Sequence, residues 1–131
     1  MVLQTHNIQV ELPSEPSASA AVRYTLDGFP MSGGLSERAR LLASELVTNS
    51  VRHVGAGPNA PISVSVDLDD DRLRVTVDDV GHGDVRVRPE QERAAGGGYG
   101  LFLVDAMADR WGTSPVPHGT RVWFELDVAD G

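Results

Sequence analysis

Apolar and polar residues alternate with period two in four stretches of this chain and recur at helical period in three others, and their order sets the expected architecture. Ile8, Val10 and Leu12 alternate with Asn7, Gln9 and Glu11, which predicts a half-buried strand ended by Pro13. Ser14 is then the expected N-cap of a helix from about Glu15 to Asp27, with Ala18, Val22 and Leu26 inward and Gly28 as its stop. After a loop from Gly28 to Gly34, the positions Leu35, Ala39, Leu42, Ala43, Leu46, Val47 and Val54 form one broad apolar stripe. They predict a long helix over Leu35 to Val54.

Gly55 to Pro61 reads as a second loop. Beyond it Ile62, Val64, Val66 and Leu68 alternate with Ser63, Ser65 and Asp67, and Leu73, Val75 and Val77 alternate with Arg72, Arg74 and Thr76. These two runs predict a hairpin turning at Asp69-Asp70-Asp71. The three aspartates lack the glycine and terminal glutamate of a calcium loop, so they read as a solvated turn. Asp84 to Gly98 is polar, rich in Arg and Gly and without periodicity, and is expected to be a mobile segment. A short helix marked by Leu101, Val104 and Ala108 follows, then a strand over Trp111 to Val116 and a last one carrying Val122, Phe124, Leu126 and Val128. Helices interspersed with hairpin-like strands predict an α+β sandwich rather than a doubly wound parallel sheet.

At 131 residues the chain is expected to be one domain, 1–131, burying about two thirds of its unfolded surface. The absence of Cys excludes disulfides and thiolate chemistry, and no signal peptide or membrane span is evident, so a cytoplasmic protein with no membrane partner is expected. A net charge of -8 opposes a phosphate backbone and argues against nucleic acid as a partner. All eleven basic residues are Arg, which removes lysine as a phosphate anchor.

Candidate chemistry starts on the long helix. Glu45 and Asn49 lie four residues apart and project side by side, with Arg38 and Arg52 on the same arc at the border of the apolar stripe. A carboxylate there can polarise a nucleophile and an amide oxygen can hold a metal ion, although a solvated helix face has the same pattern. Asp79-Val-Gly81-His-Gly83 places a carboxylate at a strand end before two glycines. Asp79 can accept a hydrogen bond from an adenine amine, and Gly81 and Gly83 lack the Cβ that would keep backbone from a flat ring; an ordinary turn reads alike. Gly96-Gly-Gly98-Tyr99-Gly100 opens a helix, offering amide N–H groups to phosphate or serving as a linker. It matches neither a P-loop nor a dinucleotide fingerprint, since Leu101 stands where the third glycine belongs. His6, His53, His82 and His118 form no ligand pattern.

These signals occur in one order: Glu45/Asn49 on a helix, Asp79-x-Gly-x-Gly after a strand, a glycine-rich helix opening, then Gly119-Thr120 before the final strand. In that order they resemble the GHKL ATPases over about residues 14 to 126, which implies the Bergerat fold: a two-layer sandwich whose mixed, mostly antiparallel sheet carries helices on one face. The phrases Ser44-Glu-Leu-Val-Thr-Asn49-Ser-Val-Arg-His53, Gly100-Leu-Phe-Leu-Val-Asp105 and Gly119-Thr-Arg-Val-Trp-Phe-Glu-Leu126 are similar to the anti-sigma-factor serine kinases.

The resemblance implies ATP and Mg²⁺ as cofactors, Asn49 as the Mg²⁺ ligand, Glu45 as general base, and Asp79 with Gly81, Gly83 and Thr120 around adenine. Gly96, Gly98, Tyr99, Gly100 and Leu101 fall beside the phosphates. Arg52, or Arg93 from the short segment between the glycine motifs, is a candidate contact to the γ-phosphate, with surface ion pairing as the alternative role. The implied function is a serine/threonine protein kinase and anti-sigma factor. Its partners would be an anti-sigma-factor antagonist and a sigma factor, and it is compatible with a homodimer. Two other readings stay open: a nucleotide-gated binding module without phosphotransfer, and a domain that no longer binds nucleotide.

Overall fold

The computed structural model describes residues 5–54, 57–80, 99–117 and 119–130, and the side chains of 53, 54, 57–60, 99, 100 and 130 lie outside the description. In order, the elements are β1 (His6–Ser14), α1 (Ala18–Asp27), α2 (Gly33–Val54), β2 (Gly57–Leu68), β3 (Arg72–Asp79), α3 (Tyr99–Met107), β4 (Arg110–Val116) and β5 (Gly119–Asp127), with a 3₁₀ turn over Val128–Asp130. The strands form one sheet in the order β1-β2-β3-β5-β4. Every pairing among the described strands is antiparallel, so the expected mixed sheet is antiparallel throughout as described.

Register explains the core. Val64 pairs with Val77 and Val66 with Val75, while Val75 and Val77 pair in turn with Phe124 and Val122, so the inward residues of three strands form one apolar layer. All six are at most 7 % exposed. Against that layer α2 turns Leu35, Ala39, Leu42, Ala43, Leu46 and Val47, all buried, and α1 adds Ala18, Val22 and Leu26. Leu101 and Val104 bring α3 into the same core. The result is the expected α+β sandwich with helices on one face of the sheet.

Several boundaries differ from the expectations drawn from sequence, among them the last strand, which ends at Asp127 so that Val128 opens the 3₁₀ turn. Ser14 is not a helix cap: it ends β1, fully buried, and α1 starts at Ala18 after Ser17. Pro16 accounts for this, because its ring disfavours helical backbone at Glu15, and the chain turns through Glu15 instead. Pro13 accordingly lies within β1 rather than ending it.

Gly57–Pro61, expected as loop, belongs to β2. Between the Leu12–Ile62 and Ser14–Gly57 pairs β1 uses the single residue Pro13 and β2 uses the four from Pro58 to Pro61. The prolines that suggested a loop thus fall in the irregular part of the ladder. The long helix begins two residues early, at Gly33, where the Ser32 hydroxyl accepts the Leu35 N–H at 3.2 Å. In the β2–β3 turn, Asp69 accepts the backbone N–H groups of Asp71 and Arg72 at 2.8 and 2.9 Å. These bonds, that to Arg72 first, hold its carboxyl below the usual value.

The sheet's other face is charged. Glu125, only 6 % exposed, is bonded by Arg110 at 2.7 Å and Arg74 at 3.0 Å, with Arg72 at 3.6 Å; Arg110 also bonds Asp127. Trp123 lies beneath the Arg74 guanidinium, 4.1 Å from the ring centre, and covers Gly112 of the edge strand β4.

Candidate functional site

Alternation along β3 sends Leu73, Val75, Val77 and Asp79 to the helical side of the sheet. Asp79 is the last residue of that series and is 8 % exposed, an acid at the end of an otherwise apolar face. Its cross-strand partner is Thr120, also 8 % exposed. The Asp79–Thr120 pair is the final rung of the β3–β5 ladder, and the next residue, Val80, is 43 % exposed.

Two features that pattern reading does not weigh hold this rung. Gly119 packs so closely that a Cβ built there would stand 1.6 Å from the Asp79 carbonyl oxygen. One rung inward, Arg121 grips Asp78 with two parallel bonds, Nε to Oδ1 at 2.8 Å and Nη2 to Oδ2 at 2.9 Å. Its hydrogen bonds to the Asp78 carboxylate raise the Arg121 pKa above its ordinary value. A sequence clue exists: Asp78 and Arg121 directly flank the two residues of interest, but their pairing emerges only from register.

Glu45 and Asn49 are both half-buried on α2, and Arg52, one turn on, is exposed. Helix α2 packs against β3 and α3, so it borders both the strand ending in Asp79 and the helix opened by the glycine-rich segment. The turn before Glu45 is anchored from behind. Ser44, 8 % exposed, donates to the Arg40 carbonyl at 2.6 Å and accepts from Arg23 of α1 at 3.1 Å. Neither Ser44 nor Arg23 carries a sequence signal for this contact.

Tyr99 and Gly100 form the first turn of α3, their side chains outside the description, and Leu101 is buried at 4 % exposure. Gly81, Gly83, Arg93, Gly96 and Gly98, with the whole 84–98 segment, lie outside the described residues. Two clefts, of about 370 and 390 Å³, flank His6 at the opposite end of the sheet, and no candidate residue lines either. We therefore place the candidate site by side-chain chemistry rather than by those clefts. Among the described residues no helix is long and apolar enough to cross a membrane.

A family model described as histidine kinase-like ATPase domain matches residues 12–126. The chain is 30 % identical over 125 residues to the serine-protein kinase RsbW of Listeria innocua, covering 83 % of this chain and 80 % of that protein. It is 27 % identical over 118 residues to the serine-protein kinase RsbW of Oceanobacillus iheyensis, covering 78 % and 75 %.

A crystal structure of RsbU and RsbW domains from Mycobacterium tuberculosis superimposes with a TM-score of 0.69 at 20 % identity, covering 92 % of this chain and 32 % of that one. A histidine kinase domain from Erythrobacter litoralis gives 0.53 at 20 % identity over 91 % of this chain and 63 % of that one. This chain thus spans about a third of the first crystallised protein and under two thirds of the second, and the likeness to both is one of fold. With a match from Leu12 to Leu126 and relatives at 30 % identity, the chain belongs to the histidine kinase-like ATPase family and to its anti-sigma-factor serine kinase type within the GHKL superfamily.

Proposed function

We propose that this chain binds ATP and transfers its γ-phosphoryl group to a serine or threonine of a partner protein, an anti-sigma-factor antagonist, and that it also sequesters a sigma factor. The observation that carries this reading is the buried Asp79–Thr120 rung on the sheet face against which α2 packs, with Glu45 and Asn49 half-buried on that helix. Kinship with serine-protein kinases supports the choice of reaction.

Asp79 and Thr120 supply a carboxylate and a hydroxyl, suited to the amine and ring nitrogen of adenine. Asn49 fits a magnesium site because its amide oxygen is a hard donor, and a magnesium ion commonly keeps waters and phosphates in its shell. When bound, Mg²⁺ would neutralise charge on the triphosphate. Glu45 takes the proton of the attacking hydroxyl as that oxygen bonds to the γ-phosphorus and the bond to the β,γ-bridging oxygen breaks, releasing ADP. For this chain's residues the work is mostly positioning and proton acceptance. Arg52 is exposed, and its placement supports a phosphate contact and a surface role equally.

Incubation with γ-labelled ATP, Mg²⁺ and candidate antagonist proteins tests the reading. Label should appear on a partner hydroxyl and disappear with Glu45→Ala. ATP binding with no transfer to any partner would instead support a nucleotide-gated binding module.

A further inference from the structure

The ladder between β3 and β5 ends on the rung assigned to the base. End rungs open more readily than interior ones, because they are held from one side only. A carboxylate that must tell an amine from a carbonyl on a purine cannot drift, since discrimination depends on the unsuited group meeting it at hydrogen-bond distance. On β5 Thr120 and Gly119 are also paired with Pro115 and Val116 of β4, so the side that needs a local fastening is Asp79 on β3. Gly119 supplies close backbone contact, and the neighbouring rung supplies the Asp78–Arg121 clamp on the opposite face of the sheet.

We infer that Asp78 and Arg121 are positioning residues for purine selection: by pinning the penultimate rung they hold Asp79 and Thr120 where an adenine amine is accepted and a guanine carbonyl refused. The inference rests on the reading of Asp79 as the base acceptor. It goes beyond that reading by assigning selectivity to a pair that touches no nucleotide. The paired geometry suits the task, because a bidentate Arg–carboxylate contact fixes direction as well as distance. Asp78 and Arg121 side chains are 30 % and 44 % exposed, so the clamp's effect is modest and local.

The test measures Mg-ATP and Mg-GTP affinity by calorimetry for the wild type, Asp78→Asn, Arg121→Gln and the charge swap D78R/R121D. Arg110→Gln is the matched control: it breaks outer-face ion pairs at the far end of β5 and leaves this rung intact. Loss of the clamp should lower ATP affinity and ATP-over-GTP preference by about two- to fivefold. The swap should recover most of both, and Arg110→Gln should change neither, even if its melting temperature falls as far. Equal loss of ATP and GTP binding, or the same loss of preference in Arg110→Gln, would overturn the positioning role while leaving the kinase reading intact. A wild type that binds no adenine nucleotide would overturn both.

Discussion

Gly119 and the carbonyl oxygen of Asp79 stand so close that a methyl group at position 119 would lie 1.6 Å from that oxygen. The contact is backbone against backbone, so no flexible side chain can move aside. Substitution Gly119→Ala must part β3 from β5 where the Asp79–Thr120 rung sits. Overpacking a core costs about 1–3 kcal/mol where side chains can adjust. At this rigid site we expect the top of that range, about 3 kcal/mol, read as a lowered urea midpoint, together with loss of Mg-ATP binding. Gly33 is the control: a Cβ there meets nothing within 4 Å, and Gly33→Ala should leave nucleotide binding unchanged.

Asp79 offers a charged acceptor, and a hydrogen bond to a charged group contributes about 1.5–3 kcal/mol. Asp79→Ala should therefore weaken Mg-ATP binding by about 10- to 100-fold. Calorimetry checks this. Unchanged affinity would remove Asp79 from the base site.

The proposed roles of Asn49 and Glu45 separate in a metal experiment. If Asn49 holds the ion, Asn49→Ala and chelation of divalent cations by EDTA should each abolish transfer, and EDTA should have no further effect on ATP affinity in Asn49→Ala. Glu45→Gln should keep ATP affinity within about twofold of wild type and lose transfer by at least about 100-fold, the scale of a general base. A Glu45→Gln protein that still phosphorylates its partner would overturn the assignment of the base.

Much of this fold is legible in the chain because its strongest patterns coincide with its core. Ile62 to Leu68, Leu73 to Val77 and Val122 to Leu126 alternate, and each inward apolar position in them is buried; Trp123 alone breaks the pattern, half-buried on the charged face. The stripe from Leu35 to Val47 likewise names the inner face of α2. Illegible parts involve competition or distance. Ser14 has the chemistry of a cap, but Pro16 two residues later vetoes helical backbone at Glu15. Prolines 58 and 61 look like loop residues until the bulged register against Pro13 accommodates them. Asp78 finds Arg121 across 43 residues and Arg74 finds Glu125 across 51, contacts that period and propensity do not encode. Within the candidate site, the fastenings of Asp79 and Thr120 come from register, which the sequence pattern does not carry.

Trp123 covers Gly112 so tightly that a Cβ on residue 112 would fall 2.8 Å from the indole Cζ2. Here the obstacle is a side chain, so the ring can tilt away at the expense of its stacking with Arg74. Gly112→Ala should cost about 1–2 kcal/mol and shift the tryptophan emission to the red as Trp123 becomes exposed. In a Trp123→Leu background the same substitution should cost much less, and that non-additivity in a double-mutant cycle identifies the ring as the obstacle.

Glu125 makes acid stability the most direct probe of the charged face. Burial alone would raise its carboxyl pKa, but hydrogen bonds from Arg110 and Arg74 and the charges of Arg72 and Arg74 outweigh burial and hold it below the ordinary 4.5. A carboxylate with a lowered folded-state pKa binds fewer protons folded than unfolded, so its stabilisation is fully present above about pH 4.5 and is lost as pH falls through the folded value. Asp127, lowered chiefly by its hydrogen bond from Arg110, and Asp69, lowered chiefly by the backbone N–H of Arg72, contribute with the same sign. Glu125→Gln should therefore be less stable than wild type by about 1–2 kcal/mol at pH 7, and the two should converge as pH falls below the folded-state value. The variant should retain a shallower acid slope from Asp127 and Asp69. Urea midpoints between pH 3 and 7 measure this directly: parallel curves for the two proteins would mean that Glu125 keeps its ordinary pKa, and that the three arginines cover it without stabilising its charge.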